Sequence, residues 1–124
     1  MKNQVLSIDQ MQHLASLGVN IKCDIDKMNW WLLNFEPILC YGIANNSVCR
    51  AFTSQDILDM LPACIDHEGY NYSLNIDKNG ENRYFITYGS MFHGNIKTLG
   101  LCPILECAYE MLLWAIENNH LKTK

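Results

Sequence analysis

Strict alternation over residues 70–77 constrains this chain more than any other feature: Tyr70, Tyr72, Leu74 and Ile76 are apolar, and Asn71, Ser73, Asn75 and Asp77 between them are polar. A period of two puts successive side chains on opposite faces, so this segment is a strand with one face buried. Lys78-Asn79-Gly80 follows, and Asn and Gly tolerate the positive φ that tight hairpins demand. Arg83 to Tyr88 returns with Tyr84, Ile86 and Tyr88 on one side. Any fold must therefore house this hairpin and cover one of its faces.

Three segments have the helical period needed to cover it. Ser7 opens the first with Gln10 three residues on, the capping-box pattern, and Ile8, Met11, Leu14, Ala15 and Leu17 fall on one side. Gly18 is placed to end that helix in a left-handed conformation. Thr53 and Asp56 signal a second helix, with Ile57, Leu58 and Leu61 as its buried stripe and Pro62 as its stop. The third starts at Pro103 and runs to about Asn118, with Ile104, Ala108, Met111, Leu112 and Ala115 centring one face. Glu106, Glu110 and Glu117 form an acidic stripe opposite, flanked by Leu113 and Trp114. The spacing predicts helices over 8–17, 54–61 and 103–118.

A second hairpin is expected where Trp30-Trp31-Leu32-Leu33 and Ile38-Leu39-Cys40-Tyr41 flank Asn34-Phe35-Glu36-Pro37. The whole reads as an α+β fold, an antiparallel sheet of about four strands in two hairpins with three helices in the order α-β-β-α-β-β-α. A chain of 124 residues with no linker, low-complexity tract or repeat reads as one domain over 1–124.

Charge and hydropathy exclude several classes of partner. The net charge of −4 is concentrated in residues 28–68, where one Arg stands against five carboxylates (Glu36, Asp56, Asp59, Asp66 and Glu68). Without a basic stripe, nucleic acid and anionic membranes are disfavoured. No run approaches the ~18 apolar residues of a membrane span, and Met1-Lys2-Asn3-Gln4 leads into an amphipathic segment rather than a signal sequence. A cytoplasmic protein is expected.

Six cysteines, at 23, 40, 49, 64, 102 and 107, raise the questions of disulfides and zinc. A hydrophobic fraction of 49% is ample for a core without covalent staples, and no second closely spaced pair or clustered histidines match Cys102 and Cys107. Six reduced, mostly buried thiols, no metal and no cofactor are the expectation.

Three segments carry a resemblance: Val5-Leu6-Ser7-Ile8-Asp9-Gln10-Met11, Phe52-Thr53-Ser54-Gln55-Asp56-Ile57-Leu58-Asp59-Met60-Leu61-Pro62, and Tyr109-Glu110-Met111-Leu112-Leu113-Trp114-Ala115-Ile116-Glu117-Asn118. They resemble a family of small uncharacterised proteins associated with gut Bacteroides genomes and the phages and mobile elements in them. The shared motifs are helix caps and core stripes, so the resemblance implies a bacterial cytosolic setting and a mobile-element origin. It carries over no catalytic residue.

Catalytic patterns are sparse. No phosphate-cradling glycine loop and no nucleophile elbow occur. Asp56 and Asp59 share a helix face, as exposed carboxylates on a capped helix commonly do. The one local cluster is Ser90-Met91-Phe92-His93, in which Ser90 and His93 are a candidate nucleophile and base. His13, His67-Glu68 and His120 read as solvated. The favoured function is a non-catalytic protein-interaction or regulatory module. An enzyme using the Ser90 to His93 loop and single-stranded nucleic-acid binding on the hairpin tyrosines are the alternatives. Candidate partner-binding residues are Trp30, Trp31, Leu113 and Trp114. Adjacent tryptophans in a strand point to opposite faces, and Leu113 and Trp114 lie outside the arc that one sheet covers, so a homodimer is a further expectation.

Overall fold

The computed structural model describes residues 4–120, so Met1-Lys2-Asn3, part of the N-terminal reading above, lie outside the described residues. The fold is α+β, with three helices and two antiparallel sheets. Helices and hairpins follow each other in the order read from the sequence, and each hairpin is part of a larger sheet. The chain forms two compact units, one running to Gln55 and the other from Asp56 onward.

The first unit opens with α1 (Ile8–Ser16). Gln10 N–H donates to the Ser7 hydroxyl at 3.2 Å and Ser7 N–H to the Gln10 side chain at 3.0 Å, which satisfies two of the helix's orphan donors. Gly18 takes φ +99 just beyond the end. Strands β1 (Met28–Leu33), β2 (Glu36–Tyr41) and β3 (Ser47–Arg50) form a sheet in the order β2-β1-β3. The stretch before α1 lies along residues 52 and 53, with Leu6 N–H donating to the Phe52 carbonyl at 2.9 Å. Leu6, Met11, Leu14, Trp30, Cys49 and Phe52 are all buried.

Asn29 is the buried polar residue of this unit. Its side-chain oxygen accepts from Asp24 N–H at 3.0 Å, and its amide nitrogen lies 2.8–2.9 Å from the carbonyls of Asp24, Lys27 and Gly42. Burying an amide is costly unless it is bonded. Here each bond ties the loop entering β1, or the loop leaving β2, to one side chain.

Helix α2 (Ser54–Met60) carries the chain across the boundary. In the second unit β4 (Cys64–His67), β5 (Tyr70–Lys78), β6 (Tyr84–Ser90) and β7 (Gly94–Cys102) lie in sequential order, and α3 (Ile104–Glu117) packs on β6 and β7. One sheet face carries Ile65, Tyr72, Ile86 and Tyr88, all buried, and α3 contributes Cys107, Ala108, Met111, Leu112 and Ala115. Each of the large side chains contributes about 2 kcal/mol through apolar burial. The Tyr88 hydroxyl donates to the Pro62 carbonyl at 2.6 Å, which satisfies its polar end.

The other face of this sheet is polar, with Asp66, Asn71, Ser73, Asn75, Thr87 and Thr98 in register across four strands. Phe85 interrupts it by lying flat over Gly100, where an added Cβ would collide with the ring. Just beyond, Leu101 is the extra residue of a bulge opposite Tyr84 and Phe85, with φ +58.

That bulge directs Cys102 to the first turn of α3. The structure joins Cys102 and Cys107 in a disulfide with Cα atoms 6.0 Å apart, which corrects the expectation of six reduced thiols. Spacing alone hid the pair, because the bulge and the proline-initiated helix together fold the intervening residues back. The other four cysteines are free, and they are less buried than expected: Cys64 is exposed, Cys23 and Cys40 are half-buried, and only Cys49 is buried. Burial, with the neighbouring Cys23 thiol adding to it, pushes the Cys49 thiol up to about 11.

Candidate functional site

Sequential antiparallel order places the β4–β5 and β6–β7 turns at the same end of the second sheet. The first is a two-residue turn, Glu68-Gly69, with φ of +51 and +84, flanked by the His67–Tyr70 pair. The second is closed by the Ser90–Gly94 pair, with Gly94 at φ +76. Tyr70 begins β5 beside this second turn, and its ring lies on the His93 imidazole with centroids 3.6 Å apart. Between Ser90 and His93 the turn presents Met91 and Phe92, which are 92% and 86% exposed. Large apolar side chains left this far in solvent are candidate contact points for a partner.

The same geometry shows how Ser90 and His93 are engaged. The Ser90 hydroxyl accepts from Phe92 N–H at 3.4 Å, within its own turn, and the His93 ring is stacked on Tyr70. The contacts that hold the two groups are to different neighbours, Phe92 N–H for Ser90 and the Tyr70 ring for His93.

The four partner-binding candidates divide. Trp30 is core: it is 4% exposed, and its indole N–H donates to the Leu6 carbonyl at 2.8 Å. Trp31 points to the opposite face of β1, half-buried, with its indole donating to Gly42 at 3.1 Å. Leu113 and Trp114 are half-buried on α3. Within the second unit the Trp114 ring lies 5.9 Å from Tyr88 and 5.0 Å from His120.

His120 leads to residues that sequence reasoning missed. Its ring is 6.3 Å from that of His67, which is in turn 6.3 Å from Tyr72 and whose Nε2 lies 3.9 Å from the Glu68 carboxylate. His67 and His120, read from sequence as solvated, thus belong to a chain of rings from Tyr88 through Trp114 to Tyr72. Burial, reinforced by the nearby His67, holds the His120 imidazole below its usual range. The short β4 strand is what brings His67 here, and four residues reading Cys-Ile-Asp-His carry no period by which to find it.

Of the hairpin tyrosines, Tyr72 and Tyr88 are buried, Tyr84 is half-buried and Tyr70 is exposed with its ring on His93. Among the described residues no group of three or more His, Cys, Asp or Glu side chains is arranged to hold a metal ion, and no helix is long and apolar enough to cross a membrane. No protein-family model, curated protein or solved structure matches this chain.

Proposed function

We propose that this chain is a non-catalytic protein-interaction or regulatory module that acts in the cytoplasm of a bacterium, or for its mobile elements, by engaging a protein partner or a second copy of itself. The observation that carries this reading is the β6–β7 turn. It holds Met91 and Phe92 almost wholly in solvent, beside a Tyr70–His93 stack that fixes the turn's position. Exposing two large apolar side chains forgoes about 2 kcal/mol each of burial, a cost that a partner recovers on binding. Trp31, Leu113 and Trp114, each half-buried, are further contact candidates. The acidic balance of residues 28–68 suits a partner with a basic rim.

The test is affinity capture from a Bacteroides lysate with the wild-type chain, a Met91→Ser/Phe92→Ser double variant and Ser90→Ala. The reading expects a specific partner that is lost from the double variant and retained by Ser90→Ala. It is overturned if the double variant captures the same proteins as wild type. It is equally overturned if the wild-type chain hydrolyses activated esters and Ser90→Ala does not.

A further inference from the structure

Strand β2 is an edge of the first sheet, and its open side has a definite hydrogen-bonding phase. The two-residue turn Asn34-Phe35 closes on Leu33 and Glu36, so this couple exchanges both backbone bonds, and every second couple along the register does the same. Glu36, Ile38 and Cys40 are therefore spent on β1. Pro37, Leu39 and Tyr41 turn their backbone polar groups outward. The far side of β1 agrees with this phase: Leu32, opposite Pro37, donates to the Asn46 carbonyl at 3.0 Å, and Met28, opposite Tyr41, accepts from Ala51 N–H at 3.2 Å. The one residue without an N–H thus sits where the hairpin needs none.

We propose that β2 pairs antiparallel with β2 of a second copy about a two-fold axis at Leu39, joining two three-stranded sheets into one of six strands. This deepens the interaction-module reading, on which it rests, by naming one partner. In that register Leu39 faces Leu39 of the second copy, Ile38 faces Cys40 and Pro37 faces Tyr41, and the positive φ of Phe35 and Gly42 ends the extended pairing on either side, with Glu36 toward Gly42 and Phe35 toward Ile43 at the two ends. The pairs are self-complementary in charge: every couple is apolar or uncharged except Glu36, which meets a glycine. Like charges facing across a strand pair would oppose association, and none do.

The register also accounts for three exposures in the first unit. Phe35 is 98% exposed, Tyr41 70% and Ile43 55%; Tyr41 falls against Pro37 in the paired sheet, and Phe35 and Ile43 of opposite copies are brought together just beyond its ends. Of the registers centred on the other two outward residues, an axis at Pro37 places two prolines together and removes the central pair of bonds, and an axis at Tyr41 leaves Phe35 without a counterpart. Centred on Leu39, the two Leu39 residues exchange bonds and each Tyr41 N–H reaches a Pro37 carbonyl. A six-residue strand buries less than the roughly 1,200 Å² of a standard interface, which places this pairing among weak, transient contacts and sets the concentrations of the test.

Sedimentation equilibrium across about 1–500 µM tests this on the intact chain and two variants. Leu39→Pro removes the central outward N–H and no bond of the hairpin, and its dissociation constant is expected to rise at least tenfold with an unchanged circular dichroism spectrum. Phe35→Gly relieves a left-handed backbone position, so it is expected to raise Tm while weakening the dimer; a residue with a merely structural role moves both the same way. The proposal is overturned if the wild-type chain stays monomeric throughout, or if folded Leu39→Pro dimerises as wild type does. If Leu39→Pro does not fold, Phe35→Gly decides alone, and wild-type association by that variant overturns the proposal. Capture through Met91 and Phe92 is unaffected by either variant, so loss of the dimer leaves the broader reading standing and is distinct from its failure.

Discussion

The chain makes the same tight turn twice with different residues. Asn34-Phe35 takes φ of +51 and +67, and Glu68-Gly69 takes +51 and +84, each closing a hairpin on adjacent strands. At the second position glycine meets the left-handed requirement at no steric cost, whereas phenylalanine pays about 1 kcal/mol or more for its Cβ. A hairpin needs only the glycine solution. Retaining a wholly exposed aromatic at a strained position therefore points to a use for that side chain outside the hairpin.

The two units differ in how they are anchored as well, and the largest expected effect lies there. Asn29 ties the entry and exit of the first hairpin to one amide. Asn29→Leu strips partners from one N–H and three carbonyls, and is expected to cost about 3 kcal/mol in urea unfolding while leaving the Glu68-Gly69 hairpin's own contacts in place. Asn29→Asp is expected to cost more, since it sets a carboxylate against three carbonyl oxygens.

The second unit has instead a covalent anchor, between Cys102 and Cys107. Closing so short a loop stabilises by about 2 kcal/mol on the chain-entropy estimate, so reduction with dithiothreitol is expected to lower the unfolding free energy from urea titration by that amount. Peptide mapping without reductant checks the pairing directly. Recovery of both cysteines as alkylated thiols removes the basis for the contrast.

Exchanging the turn residues gives a smaller pair of effects with opposite signs. Phe35→Gly is expected to stabilise by about 0.5 kcal/mol, the relieved strain less the added freedom of the unfolded chain. Gly69→Ala is expected to destabilise by about 1 kcal/mol from backbone strain alone, because nothing lies within 4 Å of an added Cβ. Equal signs in thermal melts would show that the two turns are not comparable.

Smallest is a pH effect beside the second turn. His120 has its imidazole pKa lowered in the fold by burial and by His67. The unfolded chain then binds the proton first, so this contribution is intact above the ordinary histidine pKa of about 6.5 and is lost as pH falls below it toward the folded value. The Tm of the wild-type chain is expected to drop more between neutral and mildly acidic pH than that of His120→Gln.

Much of this frame was legible in the chain. The alternation from Tyr70 to Ile76 fixed β5, and the Ser7–Gln10 box and Gly18 fixed both ends of α1. The order of helices and hairpins along the chain was read from signals of this kind. Strands β3 and β4 were hidden because four residues hold too few repeats to show a period. In β7 two register shifts break the alternation, which is why Gly94 to Cys102 does not read as a strand. The candidate site divides along the same line. Opposite faces for Trp30 and Trp31 follow from strand geometry alone, and the exposure of Met91 and Phe92 follows from their place in a loop. The Tyr70–His93 stack and the His67–His120 contact depend on which strands become neighbours, and no local pattern carries that information.

Phe85 lying across Gly100 has a consequence for how this sequence can drift. The two positions are not independent: a side chain at 100 needs a smaller residue at 85, and a smaller residue at 85 uncovers backbone that the ring now shields. The two sites form an epistatic couple in which the order of change matters. Shrinking residue 85 first passes through a loosened but folded sheet, whereas enlarging residue 100 first passes through a collision in the strand that leads to the disulfide.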